Sequence, residues 1–599
     1  MKLSDYIFDF LAKQGVRHVF MLAGGAAMHL DDSLGGNERI GYVCTLHEQA
    51  AAIAAEAYSR VTGDLGVAVV TAGPGSTNAV TGVVAAWLDS TPCVFISGQV
   101  KRADRAVGTA LRQRGVQEVD IVSIVRPITK YAITVTDPQD IRVHLEKAVH
   151  LARSGRPGPV WLDIPLDVQA AAIDPATLAG AGALVDQTKQ GPPDLPDLAG
   201  KTIEVLNAAE RPVILIGNGV RIARAEHDLP QLLGTLGIPI LTTRLGVDLV
   251  PASDPLLIGI PGGIASRAAN FTLQNSDCLL ILGARLDMAL IAYAPERLAR
   301  AATKIMVNID KAEIDKLGGI IDIPVVADAK AFIVRMLAEA TRLERKDRTP
   351  WRTRCADWKA RYPFVLPEQR VLDRAITTYA FSAVLSEELA EGDIFLPGSS
   401  GFASEIVLTA FSVKAGQRVF HNKGTGGMGL AQPSAIGAAV AGAGRRTVVV
   451  DGDGGFQMNI QELETVRRLG LPIKFFVIDN DGYASIRSSQ RGYFNRLTGA
   501  DATSGVTLPD VLKVAAAYGL PTIDIAESSR LRAAIREALA SPGPMVCRVG
   551  VLPDEPRMPR VTSMQKPDGG MVSKPLEDMW PYLSREEFLE NMIVAPVRE

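Results

Sequence analysis

An aspartate framed by glycines, Gly452-Asp453-Gly454-Gly455, is the pattern in this 599-residue chain best suited to chemistry. It follows the apolar run TVVVD and precedes a helical pattern, QELETVRRLG. Glycine lets a backbone approach a phosphate closely, and a helix start favours negative charge. Asp453 then stands where a hard carboxylate can hold a metal. A second apolar run, IKFFVIDN, delivers Asn480 at its carboxyl end, 27 residues after Asp453. Adjacent parallel strands would bring the two together. An Asp oxygen, an Asn oxygen, a backbone carbonyl and two phosphate oxygens suit Mg²⁺. Alone, Gly-Asp-Gly is equally a tight strand-to-helix turn; the Asn-bearing strand at this spacing makes the reading specific.

The elements that must position these residues are legible as short apolar runs bounded by Gly, Pro or Asp. Examples are GVAVVTAG (66–73), CVFISGQ (93–99), VWLDIP (160–165), PVILIGNG (212–219), CLLILGAR (278–285), TVVVDGDG (447–454) and IKFFVIDN (473–480). Helical stretches separate them. Continuously apolar strands alternating with helices predict parallel sheets covered on both faces, hence an α/β class with ligands at the carboxyl ends of strands. Two breaks read as linkers: the Pro/Gly/Ala-rich stretch 174–200 and the Arg-rich stretch 343–370. They divide the chain into 1–178, 190–345 and 368–555, three doubly wound parallel-sheet domains. The first and third are similar in size and pattern, as copies of one fold would be. The tail, 556–599, carries Pro556, Pro559, Pro567 and Pro575 and reads as an extended cover with a short helix at SREEFLENM.

Bulk properties exclude other classes. The formal net charge is −3 with no basic block, which argues against nucleic-acid or anionic-membrane partners. No apolar run reaches about 18–20 residues, the length needed to cross a membrane. The start, MKLSDYIFDFLAKQG, is amphipathic and unlike a signal peptide. Cys44, Cys93, Cys278, Cys355 and Cys547 are scattered and odd in number, as expected of reduced thiols in a cytoplasmic protein.

Taken with its neighbours, the Gly-Asp-Gly…Asn pattern resembles the thiamine diphosphate (ThDP) signature, and the resemblance extends over most of the chain. It is nearest to the acetolactate synthase-like branch, through VFMLAGGAAMHL, LHEQAAAIAAEAYSRVTG, TAGPGSTNAVTGVVAAWLDSTP, GVQEVDIVSIVRPITKYA and TGGMGLAQPSAIGAAV. It implies pyrimidine-binding, central and diphosphate-binding domains in that order. It implies metal ligation by Asp453, Asn480 and the carbonyl of Gly482, with Asp479 where the family has Asn. It implies catalytic roles for Glu48, Gln117 and Met428. Glu48, after GYVCTL and at a helix start, would share a proton with the pyrimidine ring; the plain alternative is a helix-start acid. Met428 would bend the cofactor, with the Gly426 carbonyl and Met428 amide bonding the pyrimidine edge; the alternative is a gap-filling core Met. Gly25, Gly73, Asn78, Gly398, Ser399, Ser400, Gly454, Gly455 and Tyr483 complete the cofactor contacts. Val116 replaces the family's Phe beside Gln117, and His29, at a helix start near the expected mouth, is a surface or capping residue or else a hydrogen-bond donor to substrate. In this family the first domain of one subunit faces the third domain of another, which implies a homodimer or homotetramer.

The middle segment resembles a domain that holds FAD. Gly217, Gly219, Thr242, Gly283, Arg285 and Asp310 are in register with it, while Gly263-Ile264-Ala265 replaces a Met-His-Gly stretch near the flavin. FAD there would be structural. Two departures bear on the substrate. DIPLDVQ has Leu166 where the family has Lys, and Ser489 aligns with a Trp that shapes the acceptor side, with Arg487 and Arg491 nearby. The reading is a ThDP/Mg²⁺ carboligase that decarboxylates a 2-keto acid, pyruvate for preference, and passes the acyl anion to a carbonyl acceptor such as a keto sugar. The alternatives are an authentic acetolactate synthase, a simple 2-keto acid decarboxylase, and a catalytically inactive cofactor-binding scaffold.

Overall fold

Apolar runs without polar alternation must be buried on both faces, and that requires helices above and below a parallel sheet. Three such sheets form, each of six parallel strands, in a computed structural model that describes residues 1–184, 186, 191–371, 375–565 and 569–597. The first sheet comprises β1 (His18–Met21), β2 (Gly41–Cys44), β3 (Gly66–Val70), β4 (Cys93–Gln99), β5 (Tyr131–Thr134) and β6 (Pro159–Pro165), in the order β2-β1-β3-β4-β6-β5. The second comprises β7 (Pro212–Ile216), β8 (Ile240–Thr242), β9 (Leu257–Gly259), β10 (Cys278–Leu282), β11 (Thr303–Asn308) and β12 (Ile323–Val326), in the order β12-β11-β10-β7-β8-β9. The third comprises β13 (Ile394–Pro397), β14 (Arg418–Val419), β15 (Thr447–Gly452), β16 (Ile473–Asp479), β17 (Thr522–Ile525) and β18 (Met545–Gly550), in the order β14-β13-β15-β16-β18-β17.

Counted from its own first strand, the third sheet has the order of the first, as two copies of one fold would. The second sheet reverses direction between β7 and β10, and in open α/β sheets ligands bind at such a reversal. The third reverses between β13 and β15, so the turns after those two strands face one crevice.

Six helices frame the domain contacts, the crevice and the tail: α1 (Glu48–Thr62), α2 (Arg267–Gln274), α3 (Thr349–Arg361), α4 (Ala431–Ala441), α5 (Ala484–Phe494) and α6 (Arg585–Glu590). α1 and α4 belong to the first and third domains, yet they pack side by side in one hydrophobic core. Both are rich in Ala, which lets their backbones approach. A Cβ on Gly437 of α4 would lie 2.0 Å from the Ala54 carbonyl oxygen, and α1 is as closely met by helix Val80–Leu88, where a Cβ on Gly82 would lie 2.4 Å from the Ala52 Cβ.

Two expectations need correction. The stretch 343–370 is not a plain linker, because α3 forms within it and buries Trp351, Cys355 and Trp358. Trp358 packs against Phe271 of α2, ring centroids 5.7 Å apart. The break at 174–200 is shorter than expected, since helix Leu195–Ala208 starts inside it. Residues 185 and 187–190 of that break, and Pro567 of the tail, lie outside the described residues. The tail forms an antiparallel pair, β19 (Ser563–Gln565) with β20 (Met571–Ser573), and then α6 within SREEFLENM. Leu576 and Phe588 join the core of the central domain. The Trp358 indole N–H donates to Asn591 Oδ1 at 2.8 Å, which seats the tail on α3. No helix among the described residues is long and apolar enough to cross a membrane.

The α1–α4 contact leaves no room for one more methyl group. Gly437→Ala is expected to destabilise the chain by about 1–3 kcal/mol, as overpacking does, and to lower Tm in scanning calorimetry. An unchanged Tm contradicts this packing.

Candidate functional site

β15 and β16 are adjacent and parallel, with Gly452 opposite Ile478, so Asp453 and Asn480 emerge side by side. Asp453 is buried, 4% exposed. Its Oδ1 accepts the Gly454 N–H at 2.7 Å, and its Oδ2 accepts those of Gly482 at 2.9 Å and Asn480 at 3.2 Å. Burial nevertheless pushes its carboxyl up to about 6, against the pull of those N–H groups. Asn480 Oδ1 is buried and has no hydrogen-bond partner. An orphaned amide oxygen beside a buried carboxylate is a donor set that a hard divalent cation would satisfy. Gly482 turns the chain with φ +116°, and a Cβ there would lie 2.6 Å from the Ala500 carbonyl oxygen.

The glycines around this pair are filled against, not idle. A Cβ on Gly454 would lie 2.2 Å from the Tyr483 ring, and one on Gly455 would lie 2.6 Å from Asp451 Oδ1. Across the crevice, a Cβ on Gly398 would lie 2.9 Å from the same oxygen. Asp451 therefore sits beneath both turns. Sequence reasoning passed over it, although an acid ending an otherwise apolar strand was a visible signal. Its Oδ1 accepts the Gly452 N–H at 2.9 Å, its Oδ2 is buried without a partner, and burial pushes it up to about 7. Ser399, Ser400 and Gly426 share the wall of one cavity. Gly426 and Gly429 take φ of +58° and +81°, which shapes the turn that presents Met428, 41% exposed.

Asp479, in the position where the resembling family has Asn, turns away from the cation site. The Arg548 Nε–H donates to Asp479 Oδ2 at 2.5 Å, and Arg548 Nη1 also reaches Asp524 at 2.9 Å. Arg487, expected near a polar acceptor pocket, has its donors committed to backbone instead. It is buried, 3% exposed, and its Nη1 donates to the Asp481 carbonyl at 2.8 Å. Its Nη2 donates to the carbonyls of Asn480 and Pro553, each at 2.6 Å. Arg487 thus clamps the backbone that carries the metal-site turn. Arg491 pairs with Asp554 at 2.6 Å, and the exposed Ser489 hydroxyl donates to the Ser485 carbonyl of its own helix α5.

Glu48 opens α1 and is 9% exposed. It does not cap the helix; His47 does, its Nδ1 accepting the Gln49 N–H at 3.0 Å. Glu48 Oε2 accepts from Asn78 Nδ2 at 3.0 Å. Gly73 takes φ +62°, and a Cβ there would lie 2.5 Å from the carbonyl oxygen of Gln117, which is itself exposed at φ +62°. Gly25 faces open space. His29 lies half-buried in helix Met28–Gly35. Glu48, Asn78, Gly73 and Gln117 thus gather in one domain, and Asp453, Asn480, Gly398 and Met428 in another. Among the described residues, no hydrogen bond or ion pair joins Glu48 to the second group.

The reversal of the second sheet opens onto this same cavity, about 530 Å³ in all, which runs on to Ser399, Ser400 and Gly426. Gly219, Gly283 and Arg285 line it, and Asn218 carries a buried, unpartnered Oδ1. Gly217 allows two turns to touch: a Cβ there would lie 2.3 Å from the Gly283 carbonyl oxygen. Thr242 is buried in β8 rather than at the wall. Asp310 caps the helix Lys311–Asp315 through Ala312 N–H at 3.0 Å and pairs with Arg156 at 2.8 Å, so it too stands off the wall.

Three family models match the chain in order. They are the N-terminal TPP binding domain of thiamine pyrophosphate enzymes over residues 1–124, the central domain over 199–336 and the C-terminal TPP binding domain over 400–549. The chain is 32% identical over 557 residues to the acetolactate synthase large subunit of Cyanidium caldarium, covering 90% of this chain and 91% of that one. It is 32% identical over 583 residues to the probable acetolactate synthase large subunit of Methanocaldococcus jannaschii, covering 95% of each. Acetolactate synthase 1, chloroplastic, of Nicotiana tabacum is 32% identical over 578 residues, covering 94% of this chain and 83% of that one.

Arg487→Met keeps the stem and removes the clamp. Each carbonyl left without its donor costs about 1–3 kcal/mol. Amide hydrogen exchange is expected to quicken over 480–487 while that of β15 stays slow. Unchanged protection over 480–487 contradicts the clamp.

Proposed function

We propose that this chain, which belongs to the thiamine pyrophosphate enzymes and is a ThDP-dependent enzyme of the acetolactate synthase type, is a carboligase with a site shared between subunits. It would decarboxylate a 2-keto acid, pyruvate for preference, and transfer the acyl unit to a carbonyl acceptor. The observation that carries this reading is the unpartnered Asn480 Oδ1 beside the buried Asp453 carboxylate. Asp453, Asn480 and the Gly482 carbonyl would hold Mg²⁺, which would bridge them to a diphosphate. The turns at Gly398-Ser399-Ser400 and Gly454-Gly455, with Tyr483, would receive that diphosphate. ThDP, when bound, supplies the nucleophilic carbon and holds the charge left by departing carbon dioxide.

The residues of the chain do the rest. Met428 would wedge the pyrimidine ring, with the Gly426 carbonyl and the Met428 amide on its edge. Glu48, shielded from water and fixed by Asn78, would hold a proton at the pyrimidine nitrogen. Gly25 and Gly73 would complete the cofactor contacts, and Gln117 would act in the active site. Glu48 would come from one subunit and Met428 and Asp453 from another. That division is supported by the exposure of Met428 and Gln117. The central cavity would take FAD as a structural group, held through Gly217, Gly219, Gly283 and Arg285, with Thr242 and Asp310 supporting the wall from behind.

For the acceptor we favour a keto sugar, on the loss of a Lys at Leu166 and of a Trp at Ser489. Arg487 lends this no support, because its donors are engaged. A second reading, acetolactate formation from pyruvate alone, is favoured by the names of the relatives.

Glu48→Gln is expected to lower pyruvate consumption at least about 100-fold, the scale of a lost proton-transfer group, with ThDP still bound. Equal rates in the two proteins contradict the role. Wild-type enzyme given pyruvate with and without a keto sugar, with products read by mass spectrometry, chooses the acceptor. A branched sugar supports the first reading, and acetolactate as the only product in both mixtures supports the second.

A further inference from the structure

The turn that carries Met428 is tied down at both ends by the first domain of its own chain. At its start, the Arg60 Nη1–H donates to the His421 carbonyl at 3.3 Å. Asn422 Nδ2 donates to Glu56 Oε2 at 3.0 Å, and the Gly424 N–H donates to Asp89 Oδ1 at 2.9 Å. At its end, Asn459 Nδ2 donates both to the Gly429 carbonyl at 2.7 Å and to Gln49 Oε1 at 2.9 Å. The contact is close: a Cβ on Gly424 would lie 2.5 Å from the Leu88 Cβ.

Arg60 organises the first of these ties. Its Nε–H donates to Glu56 Oε1, and its Nη2 donates to Asp89 Oδ2 at 2.6 Å. Thr91 Oγ1 also donates to Glu56 Oε1, at 2.7 Å. Glu56, Asp89 and Arg60 are buried, at 0%, 6% and 8% exposure. Two carboxylates brought this close and kept dry would repel each other without the cation between them. Three partners in three directions also match the planar fork of guanidinium, which a lysine ammonium cannot reproduce.

We propose that Arg60 is a positioning residue for the cofactor site. It fixes Glu56 and Asp89 in the orientations that hold residues 421–424, and through them it sets where Met428 stands. The inference rests on the reading of Met428 as a cofactor contact. It adds that α1, which starts with Glu48, also holds the Met428 turn from its far end.

The test uses the purified full chain. Arg60→Lys keeps the buried positive charge and loses the fork. In cofactor-free protein, amide exchange over 421–430 is expected to rise at least tenfold, with that of α1 and α4 unchanged. In saturating Mg²⁺, the Kd for ThDP, read by tryptophan fluorescence, is expected to rise at least fivefold. Asn422→Ala, which removes one tie and no charge, is expected to give a smaller rise in exchange over the same residues. It serves as the test where Arg60→Lys does not fold. Unchanged exchange over 421–430, or an equal rise throughout α1 and α4, overturns the inference. A local rise in exchange with unchanged ThDP affinity upholds the tie and refutes the Met428 reading instead.

Discussion

Everything in this fold depends on α1 being surrounded. Glu48 and Ala50 to Arg60 are all buried, so the helix can be neither amphipathic nor free of polar groups that need partners. Its Ala-rich faces meet the first sheet on one side and α4 on the other, which merges the cores of the first and third domains. Two of its buried charges, Glu56 and Arg60, are admitted because Asp89, Thr91, Asn422 and the His421 carbonyl complete their bonds. A buried ion pair of this kind contributes little net stability, but breaking one half of it is costly. Such a cluster specifies how the domains meet more than it strengthens the contact.

The same logic continues into the central domain. The Arg418 Nε–H donates to the Arg60 carbonyl at 3.2 Å, and Arg418 Nη1 donates to Asp248 Oδ2 at 2.6 Å. Arg221 lies 3.1 Å from the other Asp248 oxygen. Burial pulls Arg418 down to about 10, while the two arginines hold Asp248 below the usual carboxylate range against its own burial. Charged side chains thus link all three domains: Arg60 binds Glu56 and Asp89, and Arg418 joins the Arg60 carbonyl to Asp248.

The strands were legible because their runs are apolar throughout and end in Gly, Asp or Pro. β3, β4, β6, β7, β10, β15 and β16 all fall on runs read from sequence. The meeting of Asp453 with Asn480 followed from two such strands being neighbours. What was hidden depends on partners far away in sequence. α3 reads as an Arg-rich linker, yet Trp351, Cys355 and Trp358 recur at helical spacing, and its Arg354 bonds the distant carbonyl of Glu590. Arg487 read as a polar neighbour of the acceptor pocket, because nothing in a sequence shows that three carbonyls would claim its donors. Asp89 and Arg60, 29 residues apart, gave no local sign of pairing.

In the proposed division α1 supplies Glu48 to one site, while its Glu56 and Arg60 hold the Met428 turn of the other. Each complete site would accordingly draw Glu48 from one subunit and Asp453 from another. Mixing and reassociating Glu48→Gln with Asp453→Asn subunits, each inactive alone, measures this directly. One site in each mixed dimer would then be wholly wild type, so pyruvate consumption should recover to about half the wild-type rate per mixed dimer. No recovery in confirmed mixed dimers, which would leave every site with one lesion, contradicts a site built between subunits.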